Sequence, residues 1–114
     1  MRYYLRSKIH NATVTEANIE YIGSITIDKI LIQKADFDIG EKVYVWDITN
    51  GERLETYIIE GEENSGVICM NGATAHKIKV GHRVIIAGFE LTDKPIKPNI
   101  VLVDEKNNFD RFLE

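Results

Sequence analysis

Strand-forming segments dominate this sequence and constrain its fold more than any other feature. In residues 42–49 (KVYVWDIT), Val43 and Val45 alternate with Tyr44 and Trp46, which is the two-residue period of a half-buried strand. Five further runs are rich in β-branched and apolar residues and are also predicted to be strands: 12–15, 56–59, 66–70, 83–89 and 99–104. Such a chain favours a fold that is mainly β.

Tight turns and short helices separate these runs. Asn50-Gly51 lies between two strand-like runs and predicts a hairpin turn, and Asn71-Gly72 is a second dipeptide of this kind. Residues 28–34 could form a short amphipathic helix that begins near Asp28, and residues 71–76 another short helical turn. Short strands, tight turns and one or two short helices together predict a small, mainly-β barrel.

The composition limits the size of the fold and the class of partner. The chain has 114 residues, of which 44% are hydrophobic and 28% charged, so we predict one soluble domain spanning residues 1–114. A core this small favours an active site that borrows walls from a second copy, so oligomerisation is expected. The net charge of −4 argues against nucleic acid as a partner.

The cysteine content and the hydropathy indicate a cytoplasmic protein. Cys69 is the only cysteine, so no intrachain disulfide can form, and its apolar strand indicates a buried packing residue. The N-terminal MRYYLRSKIHNATVT lacks the apolar core of a signal peptide, and no segment approaches the roughly 20 apolar residues of a membrane span. We therefore expect no membrane partner.

One dipeptide, Gly23-Ser24, gains significance from the motifs around it. A Gly-Ser pair alone is common in turns, but here it lies within YIGSITID. That string resembles the self-cleavage site of the pyruvoyl-dependent aspartate 1-decarboxylases. The resemblance extends from about residue 5 to residue 99 through further matching segments, which are Lys8-Ile9-His10, Trp46, residues 49–53 (TNGER), Thr56-Tyr57, Asn71-Gly72-Ala73, Val80-Gly81 and residues 84–87. Thr74 departs from the pattern, because many relatives carry alanine there.

The resemblance implies a six-stranded double-psi β-barrel with short helices, assembled as a homotetramer. It also implies cleavage between Gly23 and Ser24 into fragments 1–23 and 24–114, with Ser24 converted into a covalent pyruvoyl cofactor. The implied reaction turns L-aspartate into β-alanine and CO2 through a Schiff base on that group, and supplies pantothenate biosynthesis.

The residues at the junction suit self-cleavage. The Ser24 hydroxyl can attack the Gly23 carbonyl and form an ester, and Ser24 also carries the Cα proton that a later elimination removes. Gly23 has no Cβ to obstruct the attack and tolerates unusual backbone angles. The resemblance assigns Thr56 to the scissile carbonyl, as a donor of the oxyanion-hole type.

The resemblance also assigns the residues that handle aspartate. Tyr57 would return a proton to the α-carbon, since a phenol stays protonated at neutral pH. Arg53 and Lys8 would bind the substrate carboxylates, because a guanidinium grips a carboxylate through two hydrogen bonds and a lysine supplies a point charge. The remaining polar lining would come from Thr56 and from four consecutive positions, Asn71, Gly72, Ala73 and Thr74.

Ordinary structural roles compete with these assignments. Without the family pattern, Tyr57 would be a half-buried strand residue, Arg53 a solvated hairpin residue and Lys8 a surface charge, while Trp46 belongs to the core under either interpretation. His10 is either close to the cleavage site, as in the family, or a structural histidine. The three histidines lack metal-ligand spacing, so no metal is expected.

Two other functions remain open from the sequence. One is a non-catalytic binding or assembly module that shares the barrel fold. The other is a degenerate relative that never cleaves. The tail, residues 107–114, is either mobile or docked on a neighbour.

Overall fold

The computed structural model describes all residues from 1 to 114 and contains nine strands, one α-helix and one 3-10 helix. The strands are β1 (Arg2–Thr13), β2 (Glu16–Asn18), β3 (Ile25–Asp28), β4 (Lys42–Asp47), β5 (Arg53–Gly61), β6 (Ile68–Asn71), β7 (Arg83–Thr92), β8 (Asn99–Val103) and β9 (Phe109–Leu113). The helices are α1 (Lys29–Ala35) and the 3-10 helix Gly72–His76. No helix has the length and apolar character needed to cross a membrane.

The sheet closes into a barrel because β1 and β2, which follow each other directly in the chain, lie far apart in the strand order. The strand order is β2-β6-β3-β5-β4-β7-β1-β8-β9. Only Val14 and Thr15 separate β1 from β2, so the β2 end of the ladder must return to β1. Counting β1 and β2 as one strand, the ring contains six: β1/β2, β6, β3, β5, β4 and β7. The expected six-stranded barrel is therefore present, and β8 and β9 add a hairpin to the outside of β1.

The tail is docked rather than free. β9 pairs antiparallel with β8, and β8 runs parallel to β1. Asn107, in the turn between β8 and β9, is 1% exposed and its side chain bridges two other segments. Its Oδ1 accepts from the Thr13 amide at 2.8 Å, and its Nδ2 donates to the carbonyls of Thr13 and Gly66 at 2.7 and 2.8 Å. The tail is therefore docked on β8 of its own chain.

The core follows the period-2 pattern of the strands. A cluster of 18 buried apolar residues fills the interior, and along β4 the valines 43 and 45 are buried while Tyr44 and Trp46 are only half-buried. The expectation that Trp46 belongs to the core was wrong. Trp46 lies on the outer face of β4 because it has the same parity as Tyr44, and it packs there among aromatic rings.

Strand β3 leads directly into α1, and this junction positions the start of β3. The Asp28 carboxylate caps the helix by accepting from the Ile30 amide at 2.9 Å. It also accepts from the amides of Asn64 and Gly66 in the β5–β6 connection, so this connection satisfies a buried carboxylate. On either side of β3 lie β5, which is parallel to it, and β6, which is antiparallel.

Candidate active site

The Gly23-Ser24 segment bends sharply just before β3 and has a strained backbone. Gly23 has φ +48° and Ser24 has φ +83°. Residues with a Cβ rarely occupy this region, so the conformation of Ser24 costs about 1–3 kcal/mol. Before cleavage such a junction is expected on an exposed, tight turn, because an internal strand would hold the peptide in an extended form unsuited to attack. This expectation was wrong for Ser24, which is buried at 2% exposure. The reason is that β6 lies over it, with the Asn71 amide donating to the Ser24 carbonyl at 3.0 Å.

Gly72 presses against the same segment. A Cβ built on Gly72 would lie 2.8 Å from the Gly23 backbone nitrogen, 2.9 Å from the Tyr21 carbonyl oxygen and 3.1 Å from the Gly23 Cα. Gly72 also has φ +62°. The close contact and the positive φ both require glycine at this position. The Asn71-Gly72 dipeptide packs against the Gly23-Ser24 bend and begins the 3-10 helix, so it does not form a hairpin turn.

The Asn71 side chain organises the polar groups around Ser24. Its Nδ2 donates to the Thr26 Oγ1 at 2.9 Å and lies 3.4 Å from the Ser24 Oγ. Its Oδ1 accepts from the Cys69 thiol at 3.1 Å. Burial raises the pKa of Cys69, and Glu16 raises it further, so the thiol stays protonated and able to donate. Cys69 is buried, as the sequence predicted, but it also contacts the site.

Tyr57 reaches the Gly23-Ser24 bend from β5, the other strand beside β3. Its Oη lies 3.3 Å from the Cβ position of Gly23, and the side chain is 43% exposed. Tyr57 lines a cavity of about 450 Å³ together with Glu20, Tyr21, Ile22 and Ile59. Thr56 precedes it on β5, so its side chain points to the opposite face, and it makes no hydrogen bond to Gly23. The structure therefore places the Tyr57 hydroxyl beside Gly23, and the proposed contact of Thr56 with the Gly23 carbonyl stays a prediction.

Arg53 lies in a different depression. Its guanidinium stacks 4.5 Å above the Trp46 ring, at the edge of a cavity of about 690 Å³. The walls of this cavity are largely aromatic and include the edge-on pair of Tyr44 and Phe89. Arg53 and Tyr57 share one face of β5 but are four residues, or roughly 13 Å, apart along the strand. Within one chain they do not line a common pocket.

Lys8 also lies apart from Tyr57 and Arg53. It lies on β1, opposite Ala87 of β7 and Ile100 of β8, and lines neither cavity. Two residues further on, the Nδ1 of His10 is buried without a hydrogen-bond partner. Burial lowers the pKa of His10, and the charge of Lys8 lowers it further. The neutral imidazole is thus favoured, and a single chain does not unite Lys8, Arg53 and Tyr57 in one cleft.

The last two predicted lining residues have different environments. Ala73 is exposed, whereas Thr74 is buried and its hydroxyl donates to the Asn71 carbonyl at 2.9 Å. Thr74 therefore stabilises the 3-10 helix through a side chain that an alanine would lack. Sequence reasoning missed Thr26 and Cys69 as the hydrogen-bond partners of Asn71 beside Ser24. The signal was available, because Thr26 shares its strand face with Ser24, and Cys69 shares its face with Asn71.

The chain matches the aspartate decarboxylase family over residues 1–110. It is 54% identical to the aspartate 1-decarboxylase of Clostridium botulinum (strain Loch Maree) over 112 residues, which cover 95% of this chain and 88% of the relative. The corresponding enzyme of Wolinella succinogenes is 50% identical over 108 residues, covering 91% and 89% of the two chains. That of Myxococcus xanthus is 53% identical over 110 residues, covering 93% and 85%.

The fold also matches a solved structure. The crystal structure of a rationally designed double-psi β-barrel, mkDPBB_sym_86, superimposes with a TM-score of 0.51 at 21% identity. The match covers 72% of this chain and 90% of the design, so it supports the barrel architecture. The sequence similarity to the decarboxylases is far higher, and the family match spans the Gly23-Ser24 bend. This chain belongs to the aspartate decarboxylase family.

Proposed function

We propose that this protein is a self-processing, pyruvoyl-dependent aspartate 1-decarboxylase that converts L-aspartate into β-alanine for pantothenate biosynthesis in the cytoplasm. One observation carries the proposal beyond family membership. Ser24 is a buried serine at φ +83°, following a glycine whose Cβ position lies 3.3 Å from the Tyr57 hydroxyl. A strained, buried Gly-Ser peptide flanked by polar groups is what intramolecular attack requires.

Self-cleavage begins with a transfer of the Gly23 acyl group from nitrogen to oxygen. A bond forms between the Ser24 Oγ and the Gly23 carbonyl carbon, the Gly23–Ser24 C–N bond breaks, and the hydroxyl proton moves to the amine. Loss of the Ser24 Cα proton then expels the Gly23 carboxylate, and water replaces the nitrogen as ammonia. The backbone strain at Ser24 supports the first step, since cleavage releases it.

The polar surroundings of Ser24 suit a small carbonyl group. Asn71 offers an amide N–H beside the Ser24 side chain, and Gly72 can pack this closely against the Gly23 backbone only because it has no Cβ. When formed, the pyruvoyl group would supply an electron-withdrawing carbonyl that accepts the electron pair released with CO2. Asn71 is placed to orient an oxygen there, and Tyr57 would hold the proton that replaces the lost carboxylate.

Substrate recognition in this proposal needs more than one chain. Arg53 and Lys8 are the proposed carboxylate ligands, but they lie apart within the chain. The aromatic cavity that contains Arg53 is open, and Tyr3 at its edge is 73% exposed. A homotetramer would cover such a surface and could place Lys8 or Arg53 of one protomer beside Tyr57 of another.

Intact mass spectrometry tests the proposal directly. Incubated wild-type protein should yield fragments 1–23 and 24–114, and the larger should be lighter by one ammonia than the same fragment beginning with serine. The processed sample should release β-alanine and CO2 from L-aspartate. Ser24→Ala, which lacks the attacking oxygen, should remain one chain and inactive. A wild-type chain that stays intact under conditions where it is folded would contradict the proposal and support a non-cleaving relative.

A further inference from the structure

We propose that Thr26 is a positioning residue for self-cleavage, whose hydroxyl holds the Asn71 amide against the Ser24 oxygen. The inference rests on the proposed function, since it concerns the residue that is cleaved. Thr26 does not contact Gly23 or the scissile carbonyl. It acts through Asn71, and its side chain lies on the same face of the chain as that of Ser24.

The hydrogen-bond geometry assigns the dominant contact to Thr26. The Asn71 Nδ2 lies 2.9 Å from the Thr26 Oγ1 but 3.4 Å from the Ser24 Oγ. A bond of 2.9 Å has the usual length for N–H···O, whereas 3.4 Å is long and weak. The position of the amide is therefore set by Thr26, and the contact with Ser24 depends on that position.

The side-chain oxygen of Asn71 also has a hydrogen-bond partner. The Cys69 thiol donates to the Asn71 Oδ1 at 3.1 Å. An amide nitrogen has two N–H groups, and the two hydroxyls of Thr26 and Ser24 accept them. Because the Ser24 oxygen accepts from Asn71, its own proton is left free to move to the Ser24 nitrogen during the acyl transfer. Without the Thr26 hydroxyl, one N–H in this largely buried site would lose its partner and the amide would shift.

The Thr26 side chain allows the hydroxyl to be removed cleanly. Its methyl Cγ2 lies 3.0 Å from the Cβ position of Gly61, so the methyl packs against the neighbouring strand. Thr26→Val keeps that methyl and replaces only the hydroxyl. Thr26→Ser keeps the hydroxyl and loses the methyl, and Thr26→Ala loses both. The effect of the hydroxyl is thus measured twice. Thr26→Val is compared with wild type, and Thr26→Ala is compared with Thr26→Ser.

The experiment measures the first-order rate of self-cleavage by intact mass, starting from freshly purified precursor. Losing one net hydrogen bond corresponds to roughly a three- to tenfold change. We expect Thr26→Val to cleave about three- to tenfold more slowly than wild type, with Thr26→Ser recovering most of the rate and Thr26→Ala as slow as valine. Thr15→Val is the matched control, because its hydroxyl bonds both backbone groups of Ile68 and does not contact Asn71.

The melting temperature of each variant is measured together with its cleavage rate. Slowing that appears in Thr26→Val and Thr26→Ala but not in Thr26→Ser or Thr15→Val supports the inference. Equal rates for valine and threonine would overturn it, as would equal slowing of serine and valine, since that would assign the effect to the methyl. If Thr26→Val fails to fold, the serine and alanine variants decide. A wild-type protein that never cleaves would overturn the proposed function as well, and so is distinguishable from failure of this inference alone.

Discussion

Replacing Gly72 with alanine tests whether the close packing around the Gly23-Ser24 bend is essential. Gly72 has φ +62°, and its Cβ would lie 2.8–3.1 Å from three backbone atoms of residues 21 and 23. Gly51 offers a matched control, because it has φ +80° with nothing within 4 Å of its Cβ position. Gly51→Ala therefore introduces the backbone strain alone, whereas Gly72→Ala introduces the strain and a collision with backbone that cannot rotate away.

The two effects can be separated in magnitude. An alanine at positive φ costs about 1–2 kcal/mol, partly offset by about 0.4–1 kcal/mol of lost freedom in the unfolded chain. Gly51→Ala should thus destabilise the fold by about 1 kcal/mol. Forcing a methyl into a filled site adds about 1–3 kcal/mol, so Gly72→Ala should destabilise it by about 2–4 kcal/mol.

Urea unfolding measured in a Ser24→Ala background checks these values, because that chain cannot be cut during the measurement. In the cleavable background, the same alanine should displace Gly23 and slow self-cleavage by at least about tenfold, since a shift of 1 Å can cost about a hundredfold in rate. Equal free energies of unfolding for Gly72→Ala and Gly51→Ala, or wild-type cleavage by Gly72→Ala, would refute the argument from close packing.

Three further predictions concern single residues. Tyr57→Phe should leave cleavage largely intact but lower kcat for aspartate, because it removes only the phenolic proton donor; normal turnover of the processed variant would assign protonation to another group. Arg53→Ala should lower the rate of aspartate decarboxylation far more than the rate of cleavage. Arg53→Lys should restore decarboxylation only in part, because lysine cannot form two parallel hydrogen bonds to a carboxylate. An unchanged rate of decarboxylation would make Arg53 a solvated hairpin charge. The pKa of His10 is lowered on folding, so the unfolded chain binds its proton more readily and stability from this group falls as the pH drops below about 6.5. His10→Gln should therefore reduce the loss of stability between pH 7.5 and 5.5, and an unchanged pH profile would count against burial of a neutral imidazole.

The local elements follow from the sequence for clear physical reasons. The alternation of Val43 and Val45 with aromatic residues could bury only one face of a strand, and Asp28 could only cap a helix that follows it. Asn50-Gly51 predicted a turn that the β4–β5 hairpin contains. The Gly23-Ser24 motif and its distant partners predicted the family, which is confirmed. Each of these inferences depends on neighbours along the chain or on a shared pattern, so no contact between distant segments was needed.

Only the tertiary structure decided how buried the junction is and which side chains surround it. The placement of β3 between β5 and β6 buries Ser24, brings Tyr57 to Gly23 and sets Asn71 between two hydroxyls. Thr26 lies within YIGSITID but, like Cys69, had no role assigned to it from the sequence, and both contact Asn71 because the antiparallel register of β3 and β6 pairs Thr26 with Cys69. The same geometry separates Arg53 from Tyr57 along one strand, so within one chain the two side chains line different cavities.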